Sequence, residues 1–152
     1  MSHTLDIQLA CFSLGDTIFA VDIMRIREIL LPQRLSGLPR SSDLYEGVIN
    51  LRGTVIPVLD MRKLFGMSPL PEGRVGKLLI VSLARQTLAL AVDNVMEVIT
   101  VPSEDITPPL ETGDEVGMEH ILGVCLSEGR VIMILDIDSL TGPGEYRDQF
   151  QP

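Results

Sequence analysis

The side chains able to do chemistry are few, and their spacing assembles no reaction centre. His3 stands near the start of the chain and His120 directly precedes an apolar run; neither has cysteines or carboxylates at the intervals that hold a metal ion. Cys11 and Cys125 each lie inside an apolar, strand-like run, where a thiol in a reducing compartment acts as a small buried hydrophobe. Carboxylates are plentiful, but Asp22, Asp60, Asp93 and Asp136 stand at the ends of apolar runs, the place of a cap or turn former. The glycines are isolated at turns, so no phosphate-cradling loop follows a strand. No catalytic set, cofactor or metal is expected, and a hydrolase would need two carboxylates facing one cleft. One charge stands apart. Arg52 sits with Gly53 at the tip between two apolar runs, Gly47 to Leu51 and Val55 to Leu59, where a cation serves recognition better than reaction. Glu28 is its natural mate if the stretch after Asp22 returns beside this hairpin, and an exposed pair of that kind adds only about 0–1 kcal/mol to stability.

Short strands must position that tip. The 152 residues are 45% hydrophobic but only 4% aromatic, so valine, isoleucine and leucine fill the core, which favours strands. Leu9 to Leu14, the Gly15-Asp16 turn and Thr17 to Val21 read as a hairpin closed by Asp22. Ile23 to Leu31 fits both helical and strand spacing and is read as a short turn leading into a strand. A loop rich in proline, glycine and serine covers Pro32 to Ser42; Asp60 is placed to cap a short helical turn; Met67 to Gly76 is a linker. Pro57 cannot donate a ladder hydrogen bond, which predicts an edge strand or a bulge there.

After the linker the pattern restarts. Leu78 to Leu83 lies over Leu9 to Leu14, Leu88 to Asp93 over Thr17 to Asp22, and Glu97-Val98 over Glu28-Ile29. Gly123 to Gly142 aligns without a gap on Gly47 to Gly66, matching turn glycines, strand residues and the capping aspartate. The chain is an internal duplication of two units, 9–66 and 78–142, joined by 67–77 and followed by a polar tail, 143–152. Each unit supplies about five short strands, the pattern of a small barrel, and alone would be only marginally stable because it buries too little surface, so the two are expected to pack together. Val55 to Leu59 and Val131 to Leu135 are apolar on both faces, so one face fills a barrel and the other is covered by the sister unit or a partner protein. The first turn reads Asn50-Leu51-Arg52-Gly53 and the second Leu126-Ser127-Glu128-Gly129: the glycine recurs, the arginine does not.

The net charge of −9, with 12 basic against 21 acidic residues, makes nucleic acid and anionic lipid poor partners. The scarcity of stacking aromatics also disfavours an oligonucleotide-binding barrel pair, the main alternative from another functional class. The opening residues lack a cationic segment followed by an apolar core, and no apolar run approaches the roughly 18 residues of a membrane span. A cytoplasmic protein without direct membrane contact is expected.

The chain resembles the CheW family of chemotaxis adaptors along nearly its whole length. The resemblance is carried by Val21-Asp22 with Ile26-Arg27-Glu28-Ile29, by Leu38-Pro39, and by Gly47 through Gly53 with the strand Val55 to Asp60. Val92-Asp93 with Val95 and Glu97-Val98, and Ile121 through Val124 running to Leu135-Asp136, complete it. It implies an all-β fold of two packed, SH3-like five-stranded β-barrels with short helical turns, forming a single CheW-like domain over 1–152. It also implies a non-enzymatic role coupling the cytoplasmic tips of chemoreceptors to the regulatory domain of a CheA-type histidine kinase, in flagellar chemotaxis or in a pilus, gliding or other system. Carried over by motif, Glu28 and Arg52 belong to the receptor- and kinase-binding region, with Ile26, Ile29, Val95 and Val98 as apolar groove walls. The chain departs from the family where Ser42 replaces a frequent second proline, and its short tail predicts no long C-terminal helix. No kinase, phosphotransfer or receiver portion is expected.

Overall fold

Ten strands follow one another in the computed structural model, which describes residues 5–37, 43–109 and 115–140. They are β1 (Asp6–Leu14), β2 (Thr17–Asp22), β3 (Ile26–Leu30), β4 (Tyr45–Leu51), β5 (Thr54–Asp60), β6 (Lys77–Ser82), β7 (Thr87–Val92), β8 (Asn94–Pro102), β9 (Ile121–Ser127) and β10 (Arg130–Leu135). One α-helical turn, α1 (Met61–Leu64), follows β5. The ambiguous run after Asp22 is a 3-10 turn over Ile23–Arg25 and then β3, because the Asp22 carboxylate accepts the Met24 N–H at 2.9 Å and closes the turn. His3, Leu38-Pro39, Ser42 and the tail lie outside the described residues.

The strands form two five-stranded sheets, ordered β8-β1-β2-β10-β9 and β3-β6-β7-β5-β4. Exchanging each strand with the one five places along converts one order into the other, so the duplication is a two-fold symmetry of the fold. This corrects the expectation that each repeat is its own barrel. The first hairpin of each repeat pairs with the last three strands of the other, through the parallel contacts β2·β10 and β5·β7. The stretches 9–66 and 78–142 are repeats in sequence; neither completes an SH3-like unit alone. The crossover happens at the 3-10 turn after β2, which sends β3 to the edge of the other sheet.

That exchange explains the uninterrupted apolar runs, because successive side chains of a strand point to opposite faces. In β1, Leu9 and Cys11 enter the interior of their own sheet with Ile18, Ala20, Ile132 and Ile134, while Ala10, Phe12 and Leu14 enter a core shared by both sheets. In β6, Leu78 and Ile80 line the other interior with Ile49, Ile56 and Val58, while Leu79 and Val81 enter the shared core. The shared core takes side chains from both repeats, so the sheets bury each other's inner faces.

Pro57 occupies neither an edge nor a bulge. β5 lies between β7 and β4; its parallel ladder with β7 begins at Val58, one residue past the proline, and the bulge of this hairpin falls on β4 between Tyr45 and Gly47. In the second copy, where Met133 replaces Pro57, the parallel ladder with β2 instead covers Ile132 to Ile134. The missing N–H thus displaces a ladder rather than ending a sheet.

The recurring Gly47 and Gly123 mark close backbone approaches. Ser36 bridges Val48 at the edge of β4, and Thr107 bridges Val124 at the edge of β9. A Cβ on Gly47 would stand 2.4 Å from the Ser36 carbonyl oxygen, and one on Gly123 2.8 Å from that of Thr107. Gly47→Ala is therefore expected to destabilise the protein by about 2–3 kcal/mol. Urea unfolding reads this out, and a variant as stable as the parent would show that the Ser36 bridge gives way freely.

Two charged clamps hold the ends of the parallel strand pairs. After β5 and β7, Arg62 grips Asp93 through two hydrogen bonds, Nε to Oδ1 at 2.8 Å and Nη2 to Oδ2 at 2.6 Å. After β10 and β2, Arg25 grips Asp138 through Nη1 at 2.9 Å and Nη2 at 2.6 Å. Arg62 and Asp138 occupy equivalent positions with opposite charge, while their mates do not, since Asp93 is the equivalent of Asp22 and not of Arg25. Asp93 also accepts the Gly15 N–H at 2.7 Å, tying the β1–β2 turn to the other sheet. Of the four aspartates at run ends, Asp22 and Asp60 are side-chain caps, while Asp136 makes no capping bond. Asp93 is a clamp and not a cap, a correction to its expected role.

Candidate partner-binding site

The hairpin β4–β5 turns over Arg52 and Gly53, with φ of 50° and 87°; Leu51 pairs with Thr54 across it. Two positive φ values in a two-residue loop match the right-handed twist of the flanking strands. The copy between β9 and β10 turns over Glu128 and Gly129 with φ of 51° and 76°. The backbone of the tip therefore belongs to the fold, and the identity of its first residue is free to serve something else.

Arg52 uses that freedom. Its Nη2 pairs with Glu28 Oε2 of β3, and the arginine side chain stays 71% exposed. Sequence reasoning brought these two together, and the structure does so through β3 and β4, the edge strands of one sheet. With Arg27, Leu51, Thr54, Ile56, Ile80 and Thr87 they line a shallow depression of about 300 Å³. The arrangement leaves a paired cation exposed beside two edge strands.

The four apolar residues expected as groove walls divide. Ile29 and Val98 occupy equivalent positions on β3 and β8 and are each 48% exposed. Ile26 and Val95 are half-buried and pack against the shared core. β3 and β8 edge different sheets, so the structure does not pair the two exposed residues through one ladder. Ile29→Ser is accordingly expected to change stability by less than about 1 kcal/mol, whereas Ile26→Ser costs more. Parallel thermal melts check this, and equal losses would place Ile29 in the core.

A second surface was not singled out from sequence. On the outer face of β9 and β10, Leu126 pairs with Val131 and Val124 with Met133; Leu126 is 69% and Val131 56% exposed. With Met118 and Thr107 these line a groove of about 710 Å³ whose charged members are Glu104, Asp105 and Glu115. The signal was present in the repeat alignment, where Leu122 and Leu126 replace Glu46 and Asn50. Val131 shows that the outer face of this hairpin is only partly covered by the rest of the molecule.

The remaining reactive side chains have structural roles. Burial pushes the Cys11 thiol up to about 11, with Glu97 and Cys125 adding to it, and burial likewise raises Cys125. His120 Nδ1 lies 3.0 Å from Ser139 Oγ, which donates to the Asp136 carbonyl. Among the described residues no cluster of three or more histidine, cysteine or carboxylate side chains could hold a metal, and no helix is long and apolar enough to cross a membrane.

The CheW-like domain family model matches residues 8–142, a span that contains the Glu28–Arg52 pair and all of both sheets except the first two residues of β1. The chain belongs to the CheW family. It is 34% identical over 142 residues to the chemotaxis protein CheW of Rhizobium meliloti, covering 93% of this chain and 90% of that one. A probable chemotaxis protein CheW of Rhizobium etli is 31% identical over 135 residues, 89% of this chain and 87% of the relative. Among solved structures, the scaffolding protein TtCheW from Thermoanaerobacter tengcongensis superimposes with a TM-score of 0.79 at 28% identity, over 86% of this chain and 89% of that one. The two-sheet CheW architecture is therefore common to this chain and a structurally characterised scaffold.

Proposed function

We propose that this CheW-family chain is a non-enzymatic cytoplasmic adaptor that holds a CheA-type histidine kinase and the cytoplasmic tips of chemoreceptors in one signalling assembly. The observation that carries the reading is the exposed Glu28–Arg52 pair. It sits on a turn that the fold forms equally well with Glu128, so its charge is spent on recognition and not on stability. Ile29, next to Glu28 on β3, and Val98, at the equivalent place on β8, supply exposed apolar area suited to the packing of a receptor helix. The acid-rimmed groove on β9 and β10 suits a partner that sets apolar side chains among basic ones. Affinity then comes from apolar contact, while Glu28 and Arg52 decide which partner is accepted. The oligonucleotide alternative gains nothing from a surface whose larger groove carries only acidic charge.

The test is affinity capture from the native cytosol with the tagged full chain. A CheA-type kinase is expected to come down together with receptors. Recovery of neither, from cells that express both, ends the adaptor reading.

A further inference from the structure

The two hairpin tips form an internal comparison. Both are two-residue turns with the same left-handed pair of φ values, and each is closed by the same cross-strand register, Leu51 with Thr54 and Ser127 with Arg130. They differ two residues before the left-handed position. In the first tip the Asn50 side-chain oxygen accepts the Gly53 N–H at 2.9 Å. In the second, Leu126 occupies that place and has no acceptor to offer. Since the copy makes the same turn without it, the Asn50 bond is not what shapes the hairpin. It is an additional tie, present only at the tip that carries an arginine paired across to β3.

We propose that Asn50 is a positioning residue for Arg52, its carboxamide fixing the left-handed tip so that the guanidinium is held beside Glu28 and presented outward. The consequence for binding rests on the reading of Arg52 as a partner contact; the ordering of the tip does not. A non-glycine residue at φ 50° occupies a shallow conformational well, and an exposed arginine has many rotamers to lose when a partner grips it. Tying Gly53 to Asn50 restricts the peptide on one side of Arg52, and the Glu28 carboxylate restrains its far end. The arginine is thus ordered before the partner arrives, which lowers the entropy lost on association. Leucine at position 50 reproduces what the second copy carries and keeps the turn.

The experiment compares Asn50→Leu and Asn50→Asp in the full chain, each with and without Arg52→Ala. Amide exchange at Gly53, with Gly129 as internal reference, and relaxation of the Arg52 Nε–H group read the tip without any partner. Binding to the regulatory domain of the CheA-type kinase from the same organism is read by calorimetry. Asn50→Leu is expected to bring Gly53 exchange to the Gly129 rate, to loosen the Arg52 side chain, and to weaken binding about 3- to 10-fold, the size of one hydrogen bond. The same change in the Arg52→Ala background should cost nothing further, and Asn50→Asp, which keeps the acceptor, should stay near the parent. Unchanged Gly53 exchange and Arg52 relaxation in Asn50→Leu overturn the proposal, as does an equal loss of binding without the arginine. If Arg52→Ala alone leaves kinase binding intact, the recognition reading fails, and the two partner-free readouts still decide whether Asn50 orders the tip.

Discussion

Asp93→Ala is expected to remove about 2–4 kcal/mol of stability and to lower the melting temperature by roughly 5–15 °C, the largest single effect anticipated outside the shared core. The reason lies in what Asp93 leaves behind. Its two carboxylate oxygens accept both nitrogens of the Arg62 fork and the Gly15 N–H, and the paired side chains are only 13% and 11% exposed. Alanine removes the partner of Nε and Nη2 in a guanidinium that water reaches poorly, leaving only the Ser68 and Pro69 carbonyls on Nη1, and an unmet charged donor of this kind costs more than the bond itself was worth. Arg25→Ala is the control. It opens the other clamp, whose members are 36% and 51% exposed, and solvent can replace much of what is lost, so about 0–1 kcal/mol is expected. Urea unfolding of the two variants side by side should rank Asp93→Ala well below Arg25→Ala. Equal losses would mean that the clamps act only as surface pairs.

The same group sets an acid limit. The Arg62 guanidinium, and after it the Gly15 N–H, hold the Asp93 carboxyl below the usual carboxylate range despite its partial burial; Arg25 does the same for Asp138. A carboxyl with a lowered folded-state pKa contributes stability that is fully present above its unfolded value of about 4 and is lost as pH falls through the folded value. The contribution of the two clamps should therefore hold flat near neutrality and fall only below about pH 4. In Asp93→Asn, which keeps an acceptor for Gly15 but no titrating group, that fall should be shallower. An acid limb of unchanged steepness would assign the loss to other carboxylates.

Legibility in the sequence followed the range of the interactions. The duplication could be read because Gly47 and Gly123, and Gly53 and Gly129, mark backbone geometries that no other residue meets as well, and such constraints survive in both copies. The exchange of hairpins between repeats could not. A strand such as Leu9 to Leu14 announces that both its faces are buried, but carries no mark of which strand covers each face. Asp93 was hidden for a similar reason: an aspartate at a strand end has one sequence signature whether it caps the next turn or grips an arginine 31 positions away. Ile26 and Ile29 are three apart, but the bulge between Ile26 and Glu28 sets both opposite shared-core residues of β6, Val81 and Leu79, so their unequal exposure follows from position along the edge strand, which sequence spacing does not reveal. The Glu28–Arg52 pair was legible because the arginine is what the second copy lacks.

Reversing that arginine, Arg52→Glu, is expected to leave folding stability within about 1 kcal/mol of the parent while weakening kinase and receptor binding at least about 30-fold. Glu128 stands at φ 51° in the equivalent turn, so a glutamate is compatible with the backbone at position 52. The ion pair that is lost is an exposed one, and the new repulsion between two glutamates at the surface is relieved by solvent and by side-chain rotation. A bound partner has no such relief, because docking excludes the water and holds the wrong charge against the group that read the arginine. Chemical denaturation and calorimetric binding must be measured on the same preparation. Unfolding of the variant would make Arg52 structural, and unchanged binding would remove it from the interface. The double reversal Glu28→Arg with Arg52→Glu then separates the pair from its sign. It restores the internal attraction between β3 and the hairpin tip but presents the opposite charge at position 52, so stability should match the parent while binding stays lost. Recovery of binding would instead show that partners require an ordered tip of either polarity.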